Sequence, residues 1–273
     1  MMLRNYILLF IAFFFVNFQI VKAQNDVDSI SNSDITESMS VIGASEADVA
    51  YNNKDYAESI QLYEEQIAQN KLSNQESSQL YYNLGNAYFR NNQVAKAIVN
   101  FERALLLEPG DSDIKHNLRF AKTRIEDKID SADSFFVNQW IRSIQNLYSA
   151  NTWATIGIVL FILLIIAIGS YMISARLTLR KISFYTGIIL LSLVIIANVF
   201  AFKQKNKIAN RSTAIVMSAS VSVYTSPDVH SQELFRLHEG AKVKIKRQED
   251  RWIEITIANG SVGWLQKKNV ETI

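Results

Sequence analysis

A chain of 273 residues with a net charge of +2, 49% hydrophobic and 20% charged, gives by its near-neutral balance no footprint for a nucleic-acid partner. The absence of cysteine excludes disulfides, thiol nucleophiles, cysteine metal sites and a lipid-modified N-terminal cysteine. The apolar excess sits in three blocks, one near the N-terminus and two within residues 153–202, which leaves soluble segments of about 100 and 60 residues, each enough for one small domain.

Arg4 precedes an apolar stretch at 7–18, then a polar break and Val21-Lys22-Ala23-Gln24. A basic start, an apolar run too short to span, and small side chains ahead of a cut after Ala23 make residues 1–23 read as a secretory signal peptide. An uncleaved anchor helix at the same place would export the chain from Gln24 onward just as well. Residues 24–43 carry Asp26, Asp28, Asp34 and Glu37 among Ser and Asn, with few large apolar side chains, the composition of a flexible acidic leader.

From 44 to 130 apolar and aromatic residues recur at helical spacing. Tyr81-Tyr82-Asn83-Leu84-Gly85-Asn86-Ala87-Tyr88 runs on through Ala97, Phe101 and Ala104 to Pro109-Gly110. Small residues at 85, 97 and 104 let two helices approach closely, Tyr81, Leu84, Tyr88 and Phe101 fill the space between them, and Pro109-Gly110 stops the second helix. This resembles a tetratricopeptide repeat, with Tyr81 where tryptophan is common. A shifted copy precedes it, with Ala47 at the small position, then Tyr51 and residues 55–63 as its second helix, and about four extra residues near 71–78. Asp111 or Ser112 can cap a further helix whose Leu118, Ala121 and Ile125 would cover the exposed end. Two repeats and a capping helix make a minimal array, since about three repeats are needed for stability.

Residues 131–151 place Val137, Trp140, Ile141, Ile144, Leu147 and Tyr148 on one helical stripe, which suits an interfacial amphipathic helix; an extension of the repeat array is the plainer alternative. Two charge-free apolar runs come next, at 152–173 and 182–202, each long enough to cross a hydrocarbon layer of about 30 Å as a helix. A two-span hairpin returns the chain to its starting side. The turn 174–181 holds Arg176, Arg180 and Lys181 and no acid, so it is expected to be cytoplasmic. Lys203, Lys205, Lys207 and Arg211 in the linker 203–211 are no fewer, and the export signal decides between the two sides. No Asp, Glu, Lys, Arg or His lies within the spans to carry a proton or an ion.

Residues 212–273 change to short alternating runs rich in β-branched side chains, at 213–217, 221–224, 233–237, 241–246, 252–257 and 261–265, with turn signals at Ser226-Pro227-Asp228, Glu239-Gly240 and Asn259-Gly260. Leu237-His238-Glu239-Gly240, Trp252-Ile253-Glu254-Ile255 and Gly263-Trp264-Leu265 make this segment resemble a bacterial SH3 domain. The fold class expected is therefore multidomain: an all-α tetratricopeptide repeat array, a two-helix transmembrane hairpin and a small all-β SH3-like barrel.

Catalytic patterns are missing: there is no phosphate-binding glycine loop, no nucleophile elbow, and His238-Glu239 lacks the second histidine of a zinc-protease helix. No catalytic residue, metal or cofactor is expected, and the chain is read as non-enzymatic. The remaining candidates are binding surfaces. The first helix of each repeat lines a concave groove, which by position takes in Tyr51, Asn52, Tyr82, Asn86, Phe89, Arg90, His116 and Phe120; Asn86 and Arg90 are suited to a peptide carboxylate or backbone. In the barrel, Trp252 and Trp264 fit a core and Tyr224 is the better candidate contact. The order of parts, with Ile114-Lys115-His116-Asn117-Leu118 in the capping helix, resembles the BatE family of Bacteroides aerotolerance operon proteins. That resemblance implies an inner-membrane scaffold with both soluble modules in the periplasm. Its expected partners are von Willebrand factor A-type Bat proteins and a MoxR-like ATPase, in tolerance of oxygen or envelope stress. A cell-wall (peptidoglycan) binding protein, or a regulator of a cell-wall hydrolase, is the alternative.

Overall fold

Three helix starts in the first half follow cap chemistry written into the sequence. The computed structural model describes residues 45–127 and 136–273. The expected signal peptide and leader, and residues 128–135, lie outside the described residues, and the fold is that of the unit Glu46–Ile273. Helix α1 (Glu46–Asn52) leads to α2 (Tyr56–Leu72), where Asp55 accepts from the Glu58 amide, and α3 (Ser78–Arg90), where Ser77 accepts from Leu80. Helix α4 (Val94–Leu107) precedes α5 (Ser112–Lys122), and of the two possible caps it is Asp111 that accepts from the amides of Asp113 and Ile114. Each such cap satisfies backbone donors that a helix start otherwise leaves unpaired. Lys54, Asn74 and Asn92 take positive φ in the turns between successive helices, which reverses the chain within a few residues.

Tyr63, Tyr81, Leu84, Tyr88, Ile98 and Phe101 share one buried core with Ile114, Leu118 and Ala121 of α5. At about 1.5–3 kcal/mol per fully buried large apolar side chain, this core and not intrinsic propensity holds the short helices. Gly85 explains the closeness of α3 and α4: a Cβ there would lie 2.7 Å from the Phe101 ring. The longer first repeat is accommodated in α2, which has 17 residues against 14 in α4.

Helix α6 (Phe136–Gln145) precedes α7 (Ala150–Ile173) and α8 (Leu177–Ala209), the last two being long and apolar enough to cross a membrane. Residues 177–181 and 203–209, expected as turn and linker, are helical: neither stretch contains Pro or Gly, so nothing interrupts the backbone ladder. Trp153 of α7 meets Phe200 of α8 with ring centroids 5.0 Å apart, and Gly157 admits Asn198.

The last segment is an antiparallel sheet in the order β3-β2-β6-β5-β4-β1-β7, from β1 (Thr213–Val216), β2 (Ser220–Tyr224), β3 (Glu233–His238), β4 (Lys242–Glu249), β5 (Trp252–Thr256), β6 (Val262–Gln266) and β7 (Val270–Thr272). The ladder does not close into the expected barrel, since β3 and β7 are its two ends and do not pair. β7 is also a strand that the alternating pattern had not revealed, being three residues long and coming directly after Lys267-Lys268-Asn269. Its edge is engaged elsewhere: Arg103 of α4 donates to the Thr272 carbonyl at 2.8 Å and pairs with Glu271 at 2.9 Å. Strand β1 is covered on both faces. Ala214 and Val216 enter the sheet core, whereas Ile215, with Ile273, joins the core of the repeats. The sheet thus sits on α4 and covers a face that a further repeat would otherwise have to bury.

Candidate functional site

The surface built by α1, α3 and α5 carries polar and aromatic side chains over the buried repeat core. Asn117 of α5 donates through Nδ2 to the Tyr82 hydroxyl at 3.0 Å and to Asn86 Oδ1 at 2.8 Å. That leaves Asn117 Oδ1 as an acceptor and Asn86 Nδ2 as a donor, the pair that an extended peptide backbone can match. Phe89 and Phe120 pack beside them with centroids 5.4 Å apart, and Phe120 is 48% exposed. Arg90 donates to the Tyr56 hydroxyl at 3.2 Å with its guanidinium 5.6 Å from that ring, and Tyr51 packs edge-on against Tyr56. Burial raises the pKa of Tyr51 and the facing Arg90 opposes the shift, so this phenol stays neutral at any physiological pH. Arg124 lies over the Phe120 ring, so cations flank both aromatic groups. Among the described residues, Asn52 and His116 are exposed and make no side-chain hydrogen bond to the other groove residues. Neither Asn117 nor Tyr56 belongs to the groove set derived from the repeat pattern. Asn117 lies one position after His116, so the facing of α5 against α3, and not the spacing within α5, brings it into the groove.

Away from the groove, a buried carboxylate joins the repeats to the sheet. Glu102 of α4 is 6% exposed and accepts from Lys122 at 2.7 Å and from Lys242 at 2.6 Å. Burial pushes its pKa up, but the two ammonium groups more than reverse that and hold it below the usual value. Asp127, just beyond α5, accepts from the His238 backbone amide at 2.6 Å and meets the His238 ring at 2.9 Å. The same carboxylate raises the imidazole pKa, with a smaller contribution from Glu126, against desolvation and, to a lesser degree, Arg236. Gly240, φ +87°, turns β3 into β4 where a Cβ would lie 2.4 Å from Ile125. His238 and Gly240 therefore act in a domain junction, which no local pattern signals. Arg211, after α8, binds the Glu76 carboxylate ahead of α3.

The sheet also bears a cleft of about 950 Å³ whose lining includes Pro227, Gln248, Trp252, Gln266, Lys267 and Lys268. Trp264 is buried. Tyr224 does not line the cleft; it packs edge-on against Trp252, with centroids 5.8 Å apart.

Residues 78–111, comprising α3, α4 and the Pro109-Gly110 turn, match the family model of the tetratricopeptide repeat. No curated protein matches the chain. The repeat indicates a protein partner, and the two apolar helices indicate membrane association.

Proposed function

We propose that this protein is a membrane-anchored adaptor without catalytic activity, whose concave repeat surface takes an extended segment of a partner protein. The reading rests above all on the Asn117 cluster: among the described residues Asn117 Oδ1 and Asn86 Nδ2 are left to pair with a backbone, with Phe120 exposed beside them and Arg90 and Arg124 near enough to favour an acidic side chain or a terminal carboxylate. A two-span hairpin would keep the repeats and the sheet on one side, and the export signal read at residues 1–23 makes that side the periplasm. The SH3-like strand pattern and the order of parts support a BatE-like scaffold working with von Willebrand factor A-type Bat proteins and a MoxR-like ATPase. A photo-crosslinker placed at Phe120 in the full chain, in intact membranes, should capture a discrete protein. Capture should fall at least tenfold with Asn117→Ala combined with Arg90→Glu. Capture unchanged by the double substitution refutes the groove, and alkaline phosphatase fused at Ile273 being inactive while a fusion at Arg180 is active refutes the orientation.

The cleft favours a second reading, cell-wall binding or regulation of a cell-wall hydrolase, because a tryptophan beside amide side chains and free lysines suits a sugar or peptide ligand. Retention of the full chain on purified sacculi, lost with Trp252→Ala, would favour it; equal retention of both proteins would count against it.

A further inference from the structure

Helix α6 has an apolar side that nothing in the described protein covers. Phe136 is 80% and Trp140 67% exposed, with Ile141 on the same side, while Asn138, Gln139 and Arg142 take the other. Among the described residues, only its last turn makes anchoring contacts. Ile144 packs against the Trp153–Phe200 cluster, and the Trp153 indole donates to the Gln145 carbonyl at 2.9 Å. The Gln145 amide, itself buried, donates to Gln204 Oε1 at 3.2 Å.

That last bond sets a depth. Gln204 lies in α8 directly after the apolar run ends at Phe202 and the first cation, Lys203, appears. The polar side chains of Gln145 and Gln204 satisfy each other at the level where α8 would leave the hydrocarbon, because an unpaired amide deeper in lipid costs several kcal/mol. The C-terminal end of α6 is therefore held at the membrane border. Lys203, Lys205 and Lys207 stand at the same level, and Lys207 donates to Asn146 at 3.2 Å.

We propose that α6 lies in the headgroup region of the bilayer that α7 and α8 cross, with Phe136, Trp140 and Ile141 turned into the acyl boundary and Arg142 and the lysines towards lipid phosphates. The occupant of the apolar face is lipid, since the face continues from the spans and is anchored at their edge. Buried there, α6 fixes the height and tilt of the repeats and sheet above the membrane. The proposal rests on the hairpin reading, and its test separates the two.

The chain has no cysteine, so single-cysteine variants carry one spin label each. Phe136→Cys, Trp140→Cys, Gln139→Cys, Ile166→Cys and Gln248→Cys would be compared as full-length protein in nanodiscs containing anionic phosphatidylglycerol. Collision with a water-soluble nickel complex should fall at 136 and 140 to near the level at 166, and stay high at 139 and 248. Oxygen collision should show the reverse. High nickel collision at 136 or 140 with low collision at 166 overturns the α6 proposal and leaves the hairpin standing; high nickel collision at 166 refutes the hairpin itself. Protection at 136 and 140 that persists in detergent without oxygen enrichment means a protein, or a second copy, covers the face, and also overturns it.

Discussion

Replacing Glu102 with Gln keeps the side-chain shape and removes a buried charge that ties three parts of the chain together. The carboxylate lies 2.7 Å from Lys122 and 2.6 Å from Lys242, and Gln can keep at most one of those contacts, as a neutral acceptor. Buried charge-assisted hydrogen bonds are worth about 1.5–3 kcal/mol each. However, the two lysine side chains retain 38% and 40% exposure, so each ammonium can rotate into water and the loss is smaller. The expected cost of Glu102→Gln is about 2 kcal/mol, below the roughly 3–5 kcal/mol of a fully buried broken pair. Urea unfolding of the full chain in detergent, followed by tryptophan fluorescence, measures it. Lys242→Met closes a double-mutant cycle with an expected coupling of about 1 kcal/mol, because the two groups are in direct contact. The pH dependence comes from the lowered pKa. The contribution is fully present above the ordinary value of 4.5 and is lost as pH falls through the lower folded value. Strictly additive substitutions, or a Gln variant as stable as the parent, would refute the claim that this carboxylate bridges repeats and sheet.

The His238–Asp127 contact should give the opposite pH sign. A raised imidazole pKa adds stability that is complete below 6.5 and disappears as pH rises through the folded value, so amide exchange at the β3–β4 turn should quicken across that window and His238→Gln should remove the dependence. Gly85→Ala pushes a methyl into the Phe101 ring, an overpacking expected to cost about 1–3 kcal/mol, visible as a lower urea midpoint; an unchanged midpoint would mean that the helices separate freely. Gly240→Ala combines a positive φ with a clash on Ile125 and should weaken the junction, read as faster limited proteolysis between α5 and the sheet, whereas Gly260→Ala, with the same sign of φ but open space around it, should leave that cleavage rate unchanged.

Much of the chain is legible from local pattern alone. Tyr81, Leu84, Gly85, Tyr88, Ala97, Phe101 and Ala104 recur at the spacing that packs two helices, and residues 78–111 match the tetratricopeptide repeat accordingly. Charge-free runs mark the two long apolar helices because the helix rise converts residue count directly into span. Alternation identifies most of the strands, since every second side chain faces the same way. What the tertiary structure alone decided is non-local. Asn117 joins the groove through the approach of α5 to α3, and β7 exists through its pairing with β1. Glu102, Arg103 and His238 find partners 140, 168 and 111 residues away in Lys242, Glu271 and Asp127. Periodicity tells which face of an element is apolar, but the element that covers it is chosen by packing, and the open sheet seated on α4 is the result of that choice.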